Sequence, residues 1–298
     1  MHIVIYKWRT REDFLLPRLF PDAEIIEAEP RVDDSRIIAR ARQIADEHSQ
    51  ETLYWFFQIN LSYWRLWLTD HKETVNTLTG LGFTVVNSEV TDIRKRTIQR
   101  LNRQLGLVDV EIDHMEPGQG KMPVMVKSNY NYGGEFEASL PSDLMVALGV
   151  EDIHDCQIKG FDSYFKTRLA DVEQALWQDE GVMIERYIEN KERKFFRFYR
   201  LGNHSVLSMI INGNIIKKML PGLPRKNWFL KFHQCRNHAY QSLIDNASLM
   251  LETMGMGFGA VDMVMDNDRR AYIIDVNPTP GWGVEKQDEV IAFLRQGL

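Results

Sequence analysis

The chain is expected to be an α/β protein whose carboxyl-terminal part is α+β, and three observations carry that expectation. Strand-like and helix-like runs alternate through the first hundred residues. An Asn212-Gly213 pair sits between two apolar runs, where both turn residues need positive φ. The apolar runs GAVDMVM and AYIIDVN near the end are separated only by a short polar turn, 266–270. With 298 residues, 44% of them hydrophobic, the chain is long enough for two or three small domains sharing an interface.

The elements divide into three regions. The first, 1–107, is expected to form a small α/β domain. Its strands are 2–6, 23–28, 52–59 and 83–86. Its helices are 35–47, 62–80 with Gly80 as the stop, and 91–105, opened by Thr91 and Asp92 and ended by Gly106. The aromatic runs Tyr54, Trp55, Phe56, Phe57 and Tyr63, Trp64, Trp67 read as core or as a homodimer interface in preference to a binding face. The second region, 108–184, holds the strand 122–127, the loop 128–137 and a helix 168–177. The third, 185–298, is mostly antiparallel sheet: a strand 182–188 leads into it, strands flank Asn212-Gly213, a helix covers 238–254, and the two apolar runs close it.

Composition excludes several classes. Two cysteines, Cys156 and Cys235, are too few for a disulfide framework, and their scarcity fits a reducing compartment, with the cytoplasm as the default. The start, MHIVIYKW, has no basic leader before a long apolar core, and no run approaches the length that crosses a bilayer, so neither targeting nor a membrane partner is expected. A net charge of -6 and a pI near 5.8 deny the chain the positive field that phosphate-backbone binding relies on, so nucleic acid is not an expected partner. His233, Cys235 and His238 have no zinc-site spacing, and GQGK (118–121) lacks the spacing and the following Ser or Thr of a Walker loop.

The chemistry is concentrated late in the chain. Asp262 and Asp275 each interrupt an apolar strand, and hairpin pairing brings them near each other. Asn277 lies two residues after Asp275 and projects on the same face. Three hard oxygen donors suit Mg²⁺, with Mn²⁺ as a substitute. The alternative is that both acids are structural and paired with a nearby Arg or Lys. Lys127 ends an apolar strand and can deliver a point charge to a phosphate, while Gly133 and Gly134 can lay backbone amides over it; a solvated lysine before a surface loop is the competing account. Residues 185–188 are placed to act as a hinge whose backbone reads an adenine edge, with Glu192 on the ribose. Arg197 and Arg200 lie on opposite faces of one strand, so at most one of them points inward, where it can grip a carboxylate.

The order of these pieces resembles the ATP-grasp superfamily, and within it the group of D-alanine:D-alanine ligase, glutathione synthetase and the RimK-like ligases, over about residues 91–283. The resemblance implies two α+β lobes, 108–184 and 185–298, sandwiching ATP behind the small amino-terminal domain. It matches Lys95 and Lys127 to the phosphate lysines and Tyr132, Gly133 and Gly134 to the glycine-rich flap. Glu185, Arg186, Ile188 and Glu192 match the adenine and ribose positions, and Asp262, Asp275, Asn277, Pro280 and Gly281 the magnesium signature. Lys217 or Lys218 stands where the family places a basic group on the γ-phosphate or an acyl phosphate, and Arg197 is a further catalytic candidate from its place on the strand. Two departures stand out: Asp275 replaces the usual glutamate, and the flap carries Tyr130 and Tyr132.

The implied activity is ligation of a small-molecule or peptide carboxylate to an amine through an acyl phosphate, releasing ADP and phosphate, with 128–137 as the lid that excludes water. A phosphotransferase using the same nucleotide site and a non-catalytic nucleotide-binding module are the alternatives.

Overall fold

The computed structural model describes residues 1–8, 14–31, 34–154, 156–160, 163–211, 227–231, 240–281 and 288–298. Three sheets organise them. The first is parallel, built from β1 (His2–Trp8), β2 (Glu24–Glu27), β3 (Leu53–Ile59) and β4 (Phe83–Val86) in the order β2-β1-β3-β4. Its central strands are apolar on both faces because both are covered, as parallel sheets require. On one face Val4, Tyr6, Trp55 and Phe57 pack with Ile37, Ala41 and Ile44 of α2 (Ser35–Glu47), which recur at helical spacing. On the other, Ile3, Ile5 and Phe56 meet α1 (Leu15–Leu19) and the carboxyl-terminal region.

The expected helix 62–80 forms only at its end, as α3 (His71–Gly80). Trp64 and Trp67 drop into the core in a turn instead, Trp64 donating from Nε1 to Val90 O at 2.8 Å. Asp70 then caps the helix by accepting from the Glu73 amide at 3.0 Å. Asp34 fixes that turn: its carboxylate accepts from the amides of Thr69 and Asp70 at 3.2 and 2.9 Å and from the Thr74 hydroxyl at 2.9 Å. The next helix, α4 (Lys95–Gln104), also starts late. Asp92 does not cap it but binds the Arg94 guanidinium and the Thr97 hydroxyl. The aromatic runs are core, with Trp55, Phe56, Phe57, Trp64 and Trp67 buried.

The second sheet is antiparallel, β6-β5-β7, from β5 (Pro123–Ser128), β6 (Phe165–Arg168) and β7 (Val182–Arg186), with α5 (Ser142–Leu148) and α6 (Gln174–Gln178) in the connections. The helix expected from residue 168 is thus displaced, because Arg168 pairs with Pro123 as the end of a strand. The third sheet is antiparallel, with β8 (Lys194–Leu201), β9 (His204–Ile211), β10 (Asn227–Lys231), β11 (Phe258–Met265) and β12 (Ala271–Asn277) in the order β10-β9-β8-β11-β12. A Gly202-Asn203 turn joins β8 to β9, whereas the Asn212-Gly213 pair lies outside the described residues. One face of this sheet, through Phe196, Phe198, Val261 and Ile273, covers α4 and α7 (Gln241–Thr253). The other, through Leu201, Val206 and Phe258, meets the parallel sheet and α8 (Asp288–Arg295). No described helix is long and apolar enough to cross a membrane.

Replacing Asp34 with Ala strands three donors at the foot of α3 and is expected to destabilise the fold by about 2 kcal/mol. Urea denaturation with an unchanged m-value checks it.

Candidate functional site

The polar centre is a row across four strands. Cross-strand register sets Ser208 on β9 opposite Arg197 on β8, Arg197 opposite Asp262 on β11, and Asp262 opposite Asp275 on β12. Alternation along β8 buries Phe196 and Phe198 against the helices and turns Arg197 to the other face, while Arg200 faces away toward Gly202 O and Glu252. Arg197 grips Asp262 with both arms of its fork, Nε to Oδ1 and Nη2 to Oδ2 at 2.8 Å, and Asp262 is 0% exposed. Burial opposes the charge on Arg197, but the Asp262 carboxylate outweighs it, and the guanidinium is held protonated well above its ordinary range.

A register shift follows Asp262, so that Met263 faces Ile273 and Ile274 is left over as a bulge. Its carbonyl, released from the ladder, accepts from Lys127 Nζ at 3.4 Å, and Lys127 is also ion-paired with Glu185 Oε2 at 2.7 Å. Lys127 and Glu185 are both buried, so the lysine is not the solvated residue of the competing account. The Tyr164 hydroxyl stands in the same field. Burial, and then the negative charges of Asp275 and Glu185, raise its pKa well above the ordinary value and keep it protonated. Nothing in the sequence singles Tyr164 out, because a tyrosine in a loop carries no periodic signal.

Residues 128–137 are not an exposed flap. Ser128 to Asn131, Gly133, Gly134, Phe136 and Glu137 are buried. Asn131 Nδ2 donates to Asn277 Oδ1 at 2.8 Å, and the Tyr132 hydroxyl donates to Thr279 O at 2.6 Å. Lys95, also buried, donates from Nζ to Tyr130 O. Gly133, with φ of +68°, runs so close to Gly160 that a Cβ there would lie 2.5 Å from the Gly160 Cα. Asn277 in turn donates from Nδ2 to Asp262 Oδ2 at 3.3 Å. The Asn131 amide donates to Ser62 Oγ at 2.6 Å, and the Ser62 amide donates to Glu137 Oε1 at 2.6 Å. A chain of polar contacts therefore runs from the acidic row through the loop to Ser62, just past β3 of the parallel sheet.

The structure gathers Lys127, Glu185, Arg197, Asp262, Asp275, Asn277, Tyr132 and Lys95 into these linked contacts. Others stand elsewhere. Glu192 pairs with Lys194 and lines a cleft of about 390 Å³ with Phe196, Tyr240 and Met265. The Arg186 side chain is exposed, and the amides of Arg186 and Tyr187 donate to Val110 O and Pro123 O. Ile188 is partly buried against Val110, Met183 and Tyr272. Lys217, Lys218, His233, Cys235 and His238 lie outside the described residues.

As a cation site, the row offers two carboxylates and one amide. Among the described residues no three His, Cys, Asp or Glu side chains are grouped for a metal. The donor chemistry suits Mg²⁺, which takes few protein ligands and completes its shell with water and phosphate oxygens. Two carboxylates and one amide oxygen, brought to one face by register, fit the ion in kind.

No family model matches the sequence, and no curated protein matches it. Solved structures do. The ATP-grasp ligase PsnB, complexed with a minimal precursor, is 10% identical, covers 100% of both chains and superposes with a TM-score of 0.51. Macrocyclase MdnC from Microcystis aeruginosa MRC, bound with precursor peptide MdnA, is 10% identical over 99% of this chain and 98% of its own, TM-score 0.47. D-alanine–D-alanine ligase from Bacillus anthracis is 12% identical over 94% and 87%, TM-score 0.43. The chain has the ATP-grasp fold.

Two outcomes are expected. Arg197→Ala leaves Asp262 buried and uncompensated and should destabilise by about 3–5 kcal/mol, whereas Arg197→Met with Asp262→Leu should recover most of the loss in equilibrium unfolding. Glu137 is raised above its ordinary 4.5 by burial, against the opposing Ser62 contacts and the nearby charge of Lys95. The folded protein then holds that proton to higher pH than the unfolded chain, so stability falls as pH rises above about 4.5. Glu137→Gln keeps an acceptor for Ser62 and should raise the thermal midpoint at pH 8 while flattening its pH dependence. Thermal midpoints from pH 4.5 to 8 check it.

Proposed function

We propose that this chain is an ATP-dependent ligase that joins a carboxylate to an amine through an acyl phosphate, with the nucleotide held between lobes 108–184 and 185–298. The observation that carries the reading is the register row Ser208–Arg197–Asp262–Asp275, buried on the inner face of the third sheet and bridged to the second sheet by Lys127. Cations and hard oxygen donors held together out of water favour moving a charged phosphoryl group, because such groups need no reorganisation as charge develops. Superposition on a structure of an ATP-grasp ligase with its precursor supports the same class of reaction.

A substrate carboxylate oxygen attacks the γ-phosphorus, the bond from that phosphorus to the β,γ-bridging oxygen breaks, and its electron pair leaves with ADP. The amine then attacks the acyl carbon, phosphate departs, and the nitrogen loses one proton. Asp262, Asp275 and Asn277 would hold Mg²⁺ or Mn²⁺, whose contribution is to neutralise phosphate charge. Lys95 and Lys127 bind the phosphates. Arg197, aimed by Asp262, stabilises the acyl phosphate. Residues 128–137, packed over the row, exclude the water that would hydrolyse it. Ile188, the hinge residue next after Tyr187, would read the adenine edge.

A non-catalytic nucleotide-binding module is the second reading, favoured by one observation: Asp262 already carries the arginine partner that a structural acid would have. One set of measurements separates them. Mg-ATP at a hundredfold excess over its Kd adds about 2.7 kcal/mol and should raise the thermal midpoint by several degrees, and Asp275→Ala should lose the magnesium-dependent part. In the ligase, ADP release depends on an added carboxylate, and hydroxylamine traps a hydroxamate. A nucleotide-dependent rise without any ADP release under a broad carboxylate and amine screen favours the module. Transfer to a substrate without phosphate release marks a phosphotransferase.

A further inference from the structure

Where the parallel sheet abuts the acidic row, several buried polar groups have no partner among the described residues. Gln58, next to last in β3, is 1% exposed, and Asn60, just past its end, is 3% exposed. The amide oxygen and nitrogen of both side chains have no hydrogen-bond partner among the described residues, nor does Thr279 Oγ1. An unpaired buried amide opposes folding, and two of them side by side call for a ligand.

Their direction follows from β3. Trp55, Phe57 and Ile59 join the core shared with α2, whereas Phe56 faces the other way and meets Phe258 of β11 edge-on at 6.2 Å. Gln58 and Asn60 continue the Phe56 row. Two residues beyond Asn60, Ser62 begins the contacts through Asn131 and Asn277 to Asp262. The two carboxamides are thus bracketed between the Phe56–Phe258 contact and the chain leading to Asp262. They also stand at the carboxyl end of the strand beside the order reversal in β2-β1-β3-β4, where open α/β sheets form ligand crevices.

Resting on the ligase reading, we infer that Gln58 and Asn60 bind main-chain amides of an extended peptide substrate and present it to the row. Residues two apart on a strand are about 6.6 Å apart, which is also the repeat of same-side amide groups in an extended peptide. Each carboxamide offers one acceptor and two donors, the complement of a peptide N–H and C=O. The charged ends of a free amino acid would meet two uncharged partners there. Unpaired polar groups of this kind reject ligands that fail to satisfy them.

The test uses the full chain with a non-hydrolysable Mg-ATP analogue. The probes are acetylated and amidated tripeptides with a central glutamate or lysine, and free glutamate and lysine. The capped peptides should raise the thermal midpoint above that of the nucleotide complex, and the free amino acids should not. Gln58→Met, Asn60→Leu and the double variant should each have a higher ligand-free midpoint, keep the nucleotide-dependent rise, and weaken the peptide at least tenfold. The inference is overturned by a peptide effect that survives in the double variant, by stabilisation from free amino acids alone, or by lower ligand-free midpoints in both single variants. No peptide effect with the nucleotide rise intact also overturns it and leaves the ligase reading standing; no nucleotide rise removes the ligase reading itself.

Discussion

The ion pair between Arg197 and Asp262 is the contact on which the rest of the site depends. Neither charge could be held away from water alone, and each compensates the other through two hydrogen bonds set by strand register. Asp262 then orients Asn277, Asn277 takes Asn131, and Asn131 reaches Ser62, so one buried pair organises contacts among all three sheets. The apolar cores hold the layers together, but they are indifferent to small rotations. The polar chain fixes how the third sheet faces the loop 128–137 and Ser62, because each link is directional.

The same contacts that satisfy the site also occupy it. Lys127 answers to Glu185, Lys95 to a backbone carbonyl, and Arg197 to Asp262. Each cation is thereby held in place without a polyanion, at the cost of a partner that a phosphate would have to replace or share. For Arg197 sharing is enough, since a guanidinium has five donors and Asp262 engages two of its N–H directions. For Lys127 the bulge at Ile274 matters: it supplies a second, uncharged partner that can hold the ammonium while its bond to Glu185 weakens.

Much of this was legible in the sequence, and the boundary is physical. Strand alternation gave the nearness of Asp262 and Asp275 and the opposite faces of Arg197 and Arg200, because period two is read directly from residue order, but which arginine turns inward came only from the structure. Order along the chain also singled out Lys95, Lys127 and Glu185, which the structure buries close to the row or its connecting loop. Helix starts failed where tertiary contacts overrode local signals: Trp64 and Trp67 sit at helical spacing yet are drawn into the core, and Asp92 prefers Arg94 and Thr97 to a cap. The loop 128–137 reads as a flap from its glycines, but its Tyr130, Asn131 and Phe136 bury it. Gln58 and Asn60 left no trace, since two amides at a strand end acquire meaning only from what fails to surround them.

The distribution of satisfied and unsatisfied groups divides the molecule's labour. Around the acidic row Arg197 pairs with Asp262 and Lys127 with Glu185, which suits a site built for one invariant ligand whose charge is known in advance. At the end of β3 the uncharged amides of Gln58 and Asn60 stand buried with no partner among the described residues, which suits recognition of a substrate by shape and hydrogen bonding. Charge pairs tolerate displacement by any polyanion of the right reach, whereas an orphaned amide penalises every ligand that does not pair with it. Under the ligase reading, the nucleotide is therefore held at the acidic row, and selectivity for the substrate falls to Gln58 and Asn60 at the end of β3.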